Sequence, residues 1–408
     1  MNLLDTASLV VTPNGYKASK LYSIIPSDGT GDMTFARTGD TATRVNSSGL
    51  IETVLANKPR LDYLGSTCPK LLLEPQRTNL QIYSEQINNA TYTKQDLTVV
   101  TNDAVAADGT TTADKLYPTT SGSSRQFFSA FAISTATVYT TSLFAKAGGK
   151  NWFRMLGING SGNASFNLAD GTVTTVSGGF TATINPYGNG WYRCTLTGTS
   201  SSTLGYLGAI LINSSTDSSI TANGTDGVYF WGLQVEAGAY ATSYIPTTTA
   251  SVTRNAETCY KASATALIGQ TEGTAYINFI YNSTGSACVT IALNDTTNDN
   301  RIQFEIGSAG SGILYLFSAG TGYVTLSTGS FVANTEYKIA IKYKLNEVSL
   351  FKNGIKYGPD ITATMPTSLT RIELGSELLS SFNNYKIKSA SLWKTSLTDQ
   401  ELITLTTL

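Results

Sequence analysis

Residues 227–236 read Gly-Val-Tyr-Phe-Trp-Gly-Leu-Gln-Val-Glu. Val and aromatic side chains crowd this run, no helical period runs through it, and it is strand-length. The same texture recurs at Val138-Tyr139-Thr140-Thr141-Ser142-Leu143-Phe144-Ala145-Lys146 and at Trp191-Tyr192-Arg193-Cys194-Thr195-Leu196. Turn pairs fall between such runs, at Asp108-Gly109, Asp170-Gly171 and Asn189-Gly190. Short strands at this spacing predict an all-β jelly roll or sandwich over residues 81–255.

The pattern continues outward. Residues 272–408 are expected to form a second β-sandwich, with strands at 274–281, 287–294, 301–306, 313–318, 336–344, 347–352 and 386–393. Asn353-Gly354 is the hairpin signal there. Thr398 and Glu401 form a capping box that starts the clearest helix of the chain. Residues 256–271, small and polar around Ala262-Ser263-Ala264-Thr265-Ala266, read as a linker. Residues 1–80 hold short apolar stretches broken by turn residues and read as extended segments that need another surface to pack on. No heptad pattern is visible.

Composition excludes whole classes of function. The chain has 408 residues, 13% charged, with a formal net charge of −1, so no basic surface points to nucleic acid. Its polarity is Ser, Thr, Asn and Gly rather than Lys and Glu. There is no histidine, which removes Ser-His-Asp, Cys-His and His-metal catalysis. Cys68, Cys194, Cys259 and Cys288 stand far apart, form no C-x-x-C pair, and are expected to be free thiols. The first residues do not read as a signal peptide, and no stretch is long and apolar enough to read as a membrane helix.

Three motifs carry a resemblance. Pro59-Arg60-Leu61-Asp62-Tyr63, then Leu71-Leu72-Leu73-Glu74-Pro75-Gln76-Arg77-Thr78-Asn79-Leu80 and Tyr83-Ser84-Glu85, resemble a segment of structural and fibre proteins of tailed bacteriophages, especially those infecting Bacteroidetes. Asp108-Gly109-Thr110, Asn189-Gly190-Trp191-Tyr192-Arg193, Phe230-Trp231-Gly232-Leu233-Gln234-Val235-Glu236 and Ser243-Tyr244-Ile245-Pro246-Thr247 look like the carbohydrate-binding-module-like jelly roll that follows it. Leu350-Phe351-Lys352-Asn353-Gly354 and Ala390-Ser391-Leu392-Trp393, running into Leu402, resemble the C-terminal half of laminin-G-like or concanavalin-A-like domains. The resemblance implies a virion structural protein, a head or tail fibre or spike. Residues 1–80 would attach it to capsid or tail proteins, and the two sandwiches would face host glycans. It also implies a homotrimer. On this expectation, deleting residues 1–80 leaves soluble domains that no longer join particles. A decoration protein without receptor binding and a carboxylate-dependent depolymerase are the alternatives.

Glycosidases need two facing carboxylates. No Glu-x-Asp-x-x-Glu pattern occurs, and Glu305, Glu336, Glu347 and Glu373 lie singly on different segments, so no enzyme is expected. Sugar binding needs flat aromatic faces beside amide and carboxylate groups. Trp191 and Trp231 read as core. Trp152, beside Gly148-Gly149-Lys150-Asn151, and Tyr187, in Asn185-Pro186-Tyr187-Gly188, read as candidate carbohydrate contacts. No cofactor is required, but a structural calcium ion has two candidate sites: Asp295 with Asp299 in an Asn/Asp-rich turn, and Glu85 with Glu236 where the ends of the jelly roll meet.

Overall fold

A computed structural model describes residues 3–282, 287–376, 378 and 385–408. Among the described residues nearly all regular structure is antiparallel β, with one α-helix at Asp399–Thr406. The chain divides into two compact units that interleave in sequence. The first contains residues 1–39, 54–76 and 255–408, and the second contains residues 40–53 and 77–254.

This division corrects the expectation for residues 1–80. They are not a separate attachment segment. The strand Leu9–Lys17 lies between Lys20–Ile25 and the distant strand Tyr385–Trp393, with Leu9 opposite Leu392 and Val11 opposite Ala390. Lys70–Leu73 pairs with the same distant strand. Met33–Ala36 pairs with Thr258–Lys261, which in turn pairs with Arg371–Leu374. Residues 256–271 therefore hold a sheet strand instead of a linker. The surface that the short N-terminal stretches lacked is supplied by strands more than 200 residues downstream.

In the first unit one continuous hydrogen-bonded path runs from Thr321–Ser330 to Ile355–Ile361. Side chains from both halves of the path share one core: Ile302, Phe304, Leu314 and Leu316 with Ile339, Ile341 and Leu350. The sheet must therefore fold over on itself. The helix covers an outer face, where Leu402 joins Tyr276, Phe351 and Trp393. Thr398 caps it, its hydroxyl accepting from Glu401 N–H while the Glu401 side chain takes the Thr398 N–H. Asn353 and Gly354 have φ of 48° and 80°, a left-handed pair that matches the twist of the hairpin they close.

The motif at residues 59–74 is spent on burial. Arg60 Nε donates to Glu257 Oε1 at 2.6 Å, and Arg60 Nη2 lies 2.8 Å from Glu74 Oε2. Arg37 Nε lies 3.2 Å from the same Glu257 oxygen, and Arg37, Arg60 and Glu257 are fully buried. Burial opposes the charge on Arg60, but Glu257 and Glu74 outweigh it and hold the guanidinium protonated.

The second unit is a two-sheet sandwich. One sheet runs Leu97–Ala104, Ala113–Pro118, Gly227–Ala237, Val138–Gly148, Tyr192–Thr199, Thr181–Pro186; the other runs Thr172–Thr174, Asn163–Asn167, Trp152–Leu156, Leu204–Leu211, Gln126–Ala132, Thr93–Gln95. Phe230 of the first sheet meets Phe127 and Phe153 of the second edge-on, at 5.1 and 5.3 Å. Gly232 interrupts the first sheet's alternation, so that Phe230 and Leu233 both reach the core while Trp231 turns outward. Its φ is 60°, and a Cβ there would sit 2.8 Å from the Phe144 ring. Only glycine suits both conditions.

Residues 77–85 clasp this sandwich. Asn79 Nδ2 donates to the carbonyls of Leu233 and Ile245, and its Oδ1 accepts from Gln81 and Val235 N–H. Ser84 and Tyr83 N–H bond to the carbonyls of Thr247 and Thr248. Gln234 Oε1 accepts from Ile245 N–H at 2.7 Å. The clasp places polar side chains where both strand segments would otherwise leave buried backbone groups unpaired.

Candidate functional site

The clasp accounts for Glu85 and Glu236 separately. Glu85 accepts from the Tyr244 hydroxyl at 2.9 Å. Burial raises its carboxyl above the usual range, with the Tyr244 bond working against the shift. Glu236 is fully buried and accepts from Thr242 N–H at 2.9 Å and from the Thr242 hydroxyl. Each carboxylate thus serves a different residue of the segment 242–247. Asp295 and Asp299 lie in the turn at residues 295–300 of the first unit. Asp295 spends one oxygen on Thr297 and the other on Asn300 Nδ2, at 2.9 Å, which is the bonding of a self-closed Asx turn. Among the described residues no three His, Cys, Asp or Glu side chains stand close enough to hold a metal ion.

The two candidate sugar contacts part company. Tyr187 ends the hairpin of the first sheet and presents its ring to buried Phe144 at 4.9 Å, beside Trp231 and Tyr244. This edge-on contact engages its ring in packing, and the residue is partly exposed. Trp191 and Trp231 are 1% exposed, and their indole N–H groups donate to the Val105 carbonyl and the Thr112 hydroxyl.

Trp152 is different. It opens a strand of the second sheet and is partly exposed. Phe153 and Met155 point into the core, so Trp152 and Arg154 point to the opposite, outer face. The same alternation assigns the neighbouring strands. Phe127, Leu207, Ala209, Ala164 and Phe166 are core. Phe128, Tyr206, Ile210, Asn163 and Asn167 therefore share the outer face, all partly exposed. Cross-strand register sets Trp152 opposite Asn167, Arg154 opposite both Ser165 and Ile210, and Phe128 opposite Gly208. Phe128 and Tyr206 meet edge-on at 6.1 Å across Gly208. From the Phe128 strand to the Asn167 strand is three strand spacings, about 14 Å.

This face combines aromatic rings, a guanidinium and side-chain amides, the groups that contact the apolar and hydroxyl-bearing surfaces of a sugar. Of its members, sequence reading singled out Trp152 alone. Phe128, Arg154, Asn163, Asn167 and Tyr206 become visible only when each strand's inward parity is known.

No family model and no curated protein matches the sequence. Among solved structures, the CBM40 of Ruminococcus gnavus IT-sialidase is 21% identical over 35% of this chain and 86% of that one, with a TM-score of 0.31. The leech intramolecular trans-sialidase is 20% identical, covering 34% of this chain and 23% of that one, with a TM-score of 0.30. The NanB sialidase from Streptococcus pneumoniae is 16% identical over 36% of this chain and 26% of that one, also at 0.30. This chain spans about a quarter of the length of those two sialidases. The likeness is one of β-rich architecture.

Proposed function

We propose that this protein is a non-catalytic glycan-binding structural protein of a tailed-phage particle, a fibre or spike that holds the virion to host-surface sugars. The observation that carries the binding reading is the outer face of the second unit, where Trp152, Phe128 and Tyr206 stand among Arg154, Asn163 and Asn167. Outward aromatics cost solubility and do nothing for the core, so a stacked ligand is the economical reason for Trp152 at one end of this face and the Phe128–Tyr206 pair at the other. The virion setting, like trimeric assembly, rests on the resemblance of residues 59–85 and of the two β-domain signatures. Several copies on one particle raise weak sugar affinity through avidity.

Binding of the full chain to an array of capsular and mucin-type oligosaccharides tests the proposal. Wild type is expected to bind a subset, Trp152→Ala to lose that binding with an unchanged melting temperature, and Tyr187→Ser to retain it. Absence of binding to every sugar, or binding indifferent to Trp152, overturns it; the former leaves a decoration protein. Sugar cleavage in a reducing-end assay would overturn the non-catalytic part.

A further inference from the structure

Arg154 stands out on the face just described. Its guanidinium is fixed along one edge by three bonds to neutral groups: Nε donates to Ser165 Oγ at 3.2 Å, and Nη2 donates to the carbonyls of Ser215 and Asp217 at 3.3 and 3.0 Å. The Ser215 carbonyl is itself held by the Thr175 hydroxyl at 3.4 Å. Among the described residues no carboxylate pairs with Arg154, and no partner takes Nη1, which is not buried. A guanidinium kept only for structure needs its charge neutralised or its nitrogens satisfied. Here the loop at residues 214–217 and Ser165 satisfy one edge and leave the last nitrogen without a bonded partner and with no carboxylate in direct contact.

We infer that this face selects sugars bearing a carboxylate, such as hexuronic or nonulosonic acids, with Arg154 Nη1 donating to the acid group while Trp152 and the Phe128–Tyr206 pair pack against ring carbons. The inference rests on the glycan-binding reading and deepens it. Carboxylate selection follows from charge complementarity: a neutral sugar would leave a partly desolvated cation without a counter-charge, and an acidic one supplies it. Because Nη2 and Nε are already bonded, the contact is end-on instead of a two-nitrogen fork. The loop carbonyls that hold Nη2 set the direction of Nη1, so Arg154→Lys keeps the charge but loses the aim.

The test compares one glucuronate-containing capsular oligosaccharide with the same oligosaccharide after reduction of its carboxyl groups to alcohols, and sialyllactose with lactose, all on the full chain by calorimetry. At least one acidic member is expected to bind about ten- to a hundredfold tighter than its neutral partner. That preference should shrink with added salt and disappear in Arg154→Met, while Trp152→Ala weakens both members. Acidic and neutral members bound equally, with both still dependent on Trp152, overturn the inference and leave the glycan-binding reading standing. Failure of all four sugars and of the array overturns both. The matched pairs need no variant, so a variant that fails to fold does not obscure the outcome.

Discussion

Removing residues 1–80 should unfold the first unit. Eight of its core side chains come from that stretch: Leu9, Val11, Leu21, Met33, Phe35, Leu61, Leu71 and Leu73, each at most 6% exposed. At about 1.5–3 kcal/mol for each buried side chain, they contribute about 12–24 kcal/mol. A compact unfolded chain already buries part of this surface, and a discount of about 40% leaves about 7–14 kcal/mol. That equals the whole stability of a typical domain, about 5–15 kcal/mol. The deletion also strands Glu257 in the interior without Arg37 or Arg60, a further cost of about 3–5 kcal/mol. Residues 81–408 are therefore expected to aggregate on expression, or to lose residues 255–408 rapidly to protease. Size exclusion, circular-dichroism melting and limited proteolysis beside the full chain will decide. A monodisperse fragment with one cooperative melt within a few degrees of the full chain would refute the assignment of these strands to the core.

Two smaller perturbations probe the interior. Burial raises the Glu85 carboxyl above its ordinary 4.5, so the folded state holds that proton more tightly than the unfolded one. The resulting stability is complete below 4.5 and is lost as pH rises through the folded value. Glu85→Gln, permanently neutral and still able to accept from Tyr244, should melt at least as high as wild type at pH 7, with the gap closing toward pH 4. A variant equally destabilised at both pH values contradicts this. Of the four thiols, Cys68 is exposed while the other three are buried. Burial pushes Cys259 and Cys288 up to about 12 and Cys194 upward as well, so a maleimide should label one thiol in the native chain and four in denaturant, read by mass spectrometry.

What could be read in advance was what is local. The hairpin at Asn353-Gly354 and the capping box at Thr398 are encoded within a few residues. The strand Arg301–Ile306 was legible from its own composition. Leu9–Lys17 was not. Pro13 and Asn14-Gly15 look like chain breakers, yet the structure absorbs them as an irregularity between Val11 and Tyr16. One partner, Lys20–Ile25, is local, but the one that encloses the stretch within the sheet lies at residues 385–393. The binding face was hidden for a related reason. Phe127 and Phe128 are adjacent and chemically identical, and only the position of the core decides which one faces out. The motif at residues 59–85 was visible as a pattern, but its division between a buried ion cluster and a polar clasp depends on residues 233–257.

The pairing of Leu9 with Leu392 also sets a timetable for synthesis. The second unit has all its residues once Arg254 has been made, so it can close early. The first unit's opening hairpin is made first and its other edge is paired last, because the Tyr385–Trp393 strand must follow some 130 residues after that point. At about 5–20 residues per second, the roughly 370 residues between Lys17 and Tyr385 take about 18–74 s, during which the opening strands keep an unpaired edge and exposed apolar faces. A nascent chain held in this condition depends on keeping those strands apart from neighbouring copies. Slower decoding after residue 254 should lower the soluble yield, although every contact in the finished protein stays the same.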